Sequence, residues 1–292
     1  MYLDSHAHVN FSAFKEDGEE ILRNAIKSGV FVVNVGSQYS TSKRAVEYAK
    51  KFATGVWAVV GIHPVHLRKG SFMHSDSDEL PASTRDDDRS STRGGEETEI
   101  QTSGEQFEWE KYLELAQEEK TVAIGEIGLD YHHFVEGDNV EAMKIKQKEV
   151  LIKFIELANE VRKPVMLHCW DAYDDLLEIL QKYPVDKKGV VHSFIGSYKT
   201  AKKFIELGYK IGLNGIVTYG ESYDRLIKEI DLENILLETD CPYLTPRPLE
   251  REKRNEPVFV EHIAQKIAKV KGISMEDVAE QTTKNAKAVF GI

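Results

Sequence analysis

Six residues of this chain have side chains that bind divalent cations, and each stands at or just past the end of a short apolar run: His6, His8, Glu126, His168, His192 and Asp240. Residues two apart on an extended strand share a face, so His6 and His8 point the same way. Burying six ionisable groups together costs several kcal/mol unless something compensates them, and a metal cluster supplies the compensation. Imidazole and carboxylate together suit Zn2+, Mn2+ and related ions, with Mg2+ where waters complete its shell. A single catalytic ion usually takes three protein ligands and keeps an open position. Six candidates therefore fit two ions about 3.5–4 Å apart that share a bridging carboxylate. Such a pair lowers the pKa of water to near neutrality and steadies a developing oxyanion. A carboxylate beside that water, Asp240, orients it and takes its proton. Ester hydrolysis is the reaction class, and a phosphoester fits best because its anionic oxygens can lie between the ions.

The elements that must position these residues are legible in the runs themselves. Tyr2–Ser5, Phe31–Val35, Val56–Gly61, Val122–Gly125, Val165–Leu167, Gly189–Val191, Tyr209–Leu213 and Ile235–Leu237 are brief, and many are rich in Val or Ile, as buried parallel strands are. Amphipathic stretches separate them, among them Glu19–Ser28, Ser42–Phe52, Val140–Val161, Tyr173–Lys182, Tyr198–Glu206, Ser222–Ile230, Pro257–Val270 and Ser274–Phe290. In Val140–Val161 the residues Ile145, Val150, Leu151, Phe154, Ile155, Leu157 and Ala158 recur at helical spacing as a core-facing stripe. Eight βα units in series predict an α/β fold, a TIM-barrel-like (β/α) barrel of parallel strands with outer helices. A doubly wound open sheet is the alternative, but no G-x-G-x-x-G follows the first run and no phosphate-binding P-loop motif occurs.

In a barrel the chemistry belongs at the C-terminal ends of the strands, where these six residues fall. Strands one and eight adjoin on closure, so His6, His8 and Asp240 are expected to hold one ion, His168 and His192 the other, and Glu126 to bridge. His63 ends the third strand and is placed to touch a substrate phosphate or to cap its own loop. Arg247, Arg251, Lys253 and Arg254 follow Asp240 in the loop after strand eight, a common phosphate-binding position in barrels. Tyr131, Trp170 and Tyr243 follow ligand positions and offer faces for base stacking or for packing. Cys169 and Cys241 alternate with the ligand side and read as small buried hydrophobes.

Charge is unevenly spread. The chain of 292 residues carries a net charge of −11, yet between Ser71 and Glu110 stand twelve acids and three arginines, and the remainder is close to neutral. A Ser-, Gly- and acid-rich stretch at about 70–106 is expected to be a low-complexity insertion in one hydrolase domain spanning residues 1–292, a loop with too little apolar surface to repay its ordering entropy. Leaving the catalytic rim after strand three, it would repel an anionic substrate or restrict access to short ends, or else it is a solvated excursion with no effect on turnover. Two cysteines exclude a disulfide framework, no apolar stretch is long enough to span a membrane, and the N-terminus lacks signal-peptide character. A soluble cytoplasmic protein without an obligate protein partner is expected.

The segments DSHAHV, GIHP, IGEIGLDYH, VMLHCWDA, VVHSF, LLETDCPYLTP, KRNEP and TTKNAKAVFG, in this order, resemble the TatD-type metal-dependent deoxyribonuclease family of the amidohydrolase-like superfamily. The resemblance covers the chain except about residues 70–106. It implies a Mg2+- or Mn2+-dependent nuclease acting on DNA ends, with His6, His8, Glu126, His168, His192 and Asp240 at the family's ligand positions. Glu126 stands where other branches of the superfamily use a carboxylated lysine. One departure is Trp170, where many members carry an arginine: a phosphate contact is lost there, or base stacking replaces it. Two other functions compete: hydrolysis of the aminoacyl ester of a mischarged tRNA at the same site, and a non-catalytic binding barrel. Keeping six costly polar groups argues against the second.

Overall fold

In a computed structural model, which describes residues 1–74, 98–250 and 253–292, all eight apolar runs form parallel strands. They are β1 Tyr2–Ala7, β2 Val30–Val35, β3 Val56–Val60, β6 Thr121–Asp130, β7 Val165–Trp170, β8 Gly189–Val191, β9 Lys210–Leu213 and β10 Ile235–Leu237, paired in that order. Helices cover the outside: α1 Gly18–Lys27, α2 Tyr39–Lys50, α3 Trp109–Gln117, α4 Val140–Glu160, α5 Tyr173–Lys182, α6 Tyr198–Glu206, α7 Asp224–Glu229, α8 Val260–Lys271 and α9 Met275–Phe290. Among the described residues no helix is long and apolar enough to cross a membrane. The apolar stripe of α4 is buried as its spacing predicts, except that Ile145 is 57% exposed. Helix α3, which the sequence reading did not delimit, buries Tyr112 and Leu115.

The seam between the first and last strands is closed by side chain and backbone together. Asp240 N–H donates to His6 O at 2.8 Å, and His8 N–H donates to Cys241 O at 2.8 Å. The buried Asp4 carboxylate accepts from Thr239 N–H at 2.9 Å and from Thr239 Oγ1 at 2.6 Å. These bonds draw the chain after β10 against the end of β1, and so place Asp240 beside His6 and His8. Asp4→Ala would leave the Thr239 donors buried without an acceptor, and is expected to lower unfolding stability by about 3 kcal/mol. A shifted urea midpoint would show it; an unchanged midpoint would show that the seam holds without Asp4.

The barrel interior divides by depth. Leu3, Val33, Val35, Val59, Ala123, Met166, Val190 and Leu236 form one apolar cluster with Phe290 of α9. Their strand neighbours Val32, Ala58, Ile124, Leu167, Val191 and Leu237 belong to the larger cluster against the helices. The first set lines the barrel, with α9 closing its base, and the polar residues lie above it at the strands' C-terminal ends. On β7, β8 and β10 simple alternation from Met166, Val190 and Leu236 turns His168, His192 and Glu238 inward. On β1 it does not: counting by twos from Leu3 would turn His6 outward, and on β6 the adjacent Val122 and Ala123 both belong to the inner cluster, so alternation alone assigns Glu126 no side. The pairing register slips by one residue between Asp4 and Ala7, and again between Ile124 and Ile127. Each extra residue is a β-bulge that re-aims the side chains beyond it.

Glu126 therefore sits inside a ten-residue strand rather than at the strand's end, and β7 likewise runs two residues past His168. Gly128 lets β6 pass so close to β7: its φ is +151°, and a Cβ there would lie 1.9 Å from His168 O. The expected insertion begins and ends in structure. Strand β4, Lys69–His74, pairs antiparallel with β5, Thr98–Ser103, as a two-stranded ribbon standing on the rim. The acidic residues 75–97 that join them lie outside the described residues.

Candidate metal centre

The six cation-binding residues converge in two clusters that share one carboxylate. In the first, His6 Nε2 and His8 Nε2 are 3.0 Å apart. Asp240 Oδ1 lies 3.5 Å from the former and 3.2 Å from the latter, and Glu126 Oε2 lies 3.5 and 3.7 Å from the same two nitrogens. In the second, Glu126 Oε1 lies 2.6 Å from His192 Nε2 and 3.1 Å from His168 Nδ1, and these nitrogens are 3.3 Å apart. All six residues are buried.

Hydrogen bonds on the far side of the rings fix which nitrogens face inward as lone pairs. His8 Nδ1 lies 2.9 Å from Val35 O, a carbonyl that can only accept, so the proton is on Nδ1 and Nε2 is free to ligate. His168 Nε2 lies 3.1 Å from Asp130 Oδ2, which leaves Nδ1 for the cluster. Burial, reinforced by the stacked His192 ring 4.0 Å away, pulls His6 down to about 4, so its imidazole is neutral. Burial also opposes charge on Glu126 and Asp240, but the surrounding imidazoles outweigh it and hold both carboxyls well below their usual range. Imidazole nitrogens and ionised carboxylates, aimed at one another with no lysine or arginine among the described residues lining the cleft, are the donor set of a divalent metal centre. The residues fit the ions.

Asp240 adopts φ +56°, a left-handed conformation tolerated in Asp at a cost of about 1 kcal/mol. It is held there by the bond from its own N–H to His6 O.

His63 caps its own loop. Its Nδ1 accepts from Val65 N–H at 3.2 Å and caps the turn Pro64–Leu67. That puts the ring proton on Nε2, which points at Glu126 Oε1 from 3.4 Å. Arg254 is not brought to the cluster. Its guanidinium pairs with Asp17 at 2.6 Å and covers the Phe14 ring, tying the loop after β10 to the start of α1. Arg247 is exposed, and Arg251 lies outside the described residues. Tyr131 donates its hydroxyl to Asp175 at 2.7 Å, away from the cluster, whereas Trp170 and Tyr243 line the cleft above it. Cys169 and Cys241 are buried free thiols, as expected.

Two residues escaped the sequence reading. Asp130, four residues after Glu126, accepts from His168 and from His133 Nδ1 at 2.7 Å. The sign of it was an acid at the true end of β6, visible once the strand is extended through Ile127-Gly128-Leu129. Glu238 turns inward from β10, with Oε1 accepting from Ser193 N–H and 3.8 Å from His192 Nδ1. Gly212 makes room for it on β9, since a Cβ there would lie 2.3 Å from Glu238 Oε2. Burial pushes the Glu238 carboxyl well above its usual range.

The family described as TatD related DNase matches residues 3–291. The metal-dependent hydrolase YabD of Bacillus subtilis is 34% identical over 296 residues, covering the whole of both chains. The 3'-5' ssDNA/RNA exonuclease TatD of Klebsiella pneumoniae is 30% identical over 298 residues, covering 99% of this chain and 97% of its own. Among solved structures, the TatD homologue YJJV of Escherichia coli K12 superposes with a TM-score of 0.78 at 26% identity, over 100% of this chain and 98% of its own. The aminoacyl-tRNA ester reading gains no support from these relatives. With the eight-stranded barrel, the shared carboxylate and a family match that runs almost from end to end, this chain belongs to the TatD related DNase family.

Proposed function

We propose that this TatD-family hydrolase removes nucleotides from the ends of single-stranded DNA at a centre of two Mg2+ or Mn2+ ions. His6, His8 and Asp240 would hold one ion, His168 and His192 the other, and Glu126 both. The observation that carries this reading is the Glu126 carboxylate, whose two oxygens each reach a different pair of imidazoles. Paired divalent ions, when bound, activate water and offset the charge that develops on a phosphate.

The chain's own groups do the rest. Asp240, ionised and at the mouth of the cluster, orients the attacking water and accepts its proton. His63 offers its Nε2–H to a phosphate oxygen. Asp130 holds the His168 ring in one orientation and one tautomer. Labelled single-stranded DNA incubated with Mg2+, with Mn2+ and with EDTA tests the proposal. Digestion with an ion and none in EDTA is expected. No digestion by protein shown to hold two ions would overturn the nuclease reading.

The acidic stretch between the ribbon strands bears on how DNA arrives. Residues 75–97 carry eight acids and three arginines. Since His74 pairs with Thr98, an Asn-Gly turn can replace the whole stretch and keep the ribbon. That variant is expected to associate with DNA severalfold faster at low ionic strength. The gain should fade as salt screens the interaction; stopped-flow association rates across a salt series would measure it. Equal rates at low salt would show that the stretch has no steering role.

A further inference from the structure

The cleft above the metal centre is made of two unlike halves. Its floor is the His and carboxylate cluster, and its walls are the apolar and aromatic residues Phe11, Val65, Phe72, Ile100, Trp170 and Tyr243. Phe72 and Ile100 come from the ribbon: they pair across it, so their side chains share one face of it. Phe72 is 8% exposed, and its ring lies 4.7 Å from the His133 ring, which stacks on Trp170 at 5.0 Å. A lone two-stranded ribbon is marginally stable, but this one is tied at its root. Gly104 N–H donates to Arg68 O at 2.8 Å, Glu105 N–H donates to His66 O at 2.8 Å, and the Glu105 carboxylate accepts from Tyr39 N–H at 3.0 Å. The stem of the acidic insertion is thus a fixed wall of the cleft.

We propose that Phe72 and Ile100 form a nucleobase slot, in which the terminal base of the strand lies against the ribbon while its phosphate rests over the metal centre. The inference builds on the nucleic-acid reading above and adds the residues that select an unpaired terminal base. A nucleotide is amphipathic in the same sense as the cleft, anionic at one end and flat and apolar at the other. Stacking needs only a π-face, so all four bases are accepted. An end without a base forfeits the contact, and a base held in a duplex cannot enter.

The test uses the full-length chain with Mn2+ and single-stranded oligonucleotides ending either in a normal nucleotide or in a tetrahydrofuran abasic residue. One stacked base is worth about 10- to 100-fold. The wild type is expected to favour the normal end by that factor in kcat/KM, mostly through KM. Phe72→Ala should bring the ratio close to one, Ile100→Ala should reduce it, and Phe72→Trp should restore it. Because Phe72 also packs on His133, its loss lowers thermal stability. A purely structural role would slow both substrates equally and leave their ratio unchanged. A wild type that digests both ends alike, or a Phe72→Ala variant that keeps the wild-type ratio, overturns the slot and leaves the nuclease standing. Digestion of neither end overturns both.

Discussion

Replacing Glu126 with glutamine is expected to slow DNA cleavage by at least about 10³-fold and, on the proposed two-ion reading, to reduce bound metal from two ions per chain to one or none. The amide keeps the shape of the side chain but presents one oxygen and one NH2 group where two anionic oxygens now face two imidazole pairs. An NH2 group aimed at either cluster meets nitrogens that are themselves lone-pair donors, so at least one cation position loses its charge balance. The barrel itself should survive, because Glu126 lies above the apolar interior and its neighbours on β6 remain packed. Elemental analysis and single-turnover cleavage measure the two effects separately. A Glu126→Gln variant that retains two ions and cleaves within tenfold of the wild type would remove the bridging role.

Asp240→Asn should cost about as much in turnover and less in metal. Proton acceptance by a placed carboxylate contributes about 10² to 10⁴ in rate, and an amide accepts no proton at neutral pH. The remaining donors of the first cluster, His6, His8 and Glu126, stay within 3.0–3.7 Å of one another, so the first ion is weakened rather than lost. The fall is expected in kcat, with KM for DNA changed by less than about threefold, because in its proposed role the group acts on water rather than on the phosphate. Raising pH should rescue part of the rate, since hydroxide needs no base. The idea sinks if KM carries the loss, or if the variant keeps wild-type turnover with two ions bound.

What the sequence by itself determined is the barrel, its eight strands and the identity of the six converging residues. Each strand is a short apolar run broken by an amphipathic helix, a local pattern that survives in any environment. Metal-binding residue types are costly to bury, so their recurrence where those runs end marks the rim. His168 and His192 could be aimed from sequence alone, because strand alternation carries them inward from Met166 and Val190.

Only the tertiary structure decided the rest. His6 and Glu126 face inward through one-residue register slips, which depend on the neighbouring strand and leave no trace in the strand's own sequence. The placement of Arg254 depended on Asp17, 237 positions away, a partner that no local pattern announces. The stem of the insertion read as loop because its composition is polar. Its two strands become a wall because backbone pairing between Lys69–His74 and Thr98–Ser103, and the seating of Phe72 against His133, offset an ordering entropy that composition alone could not.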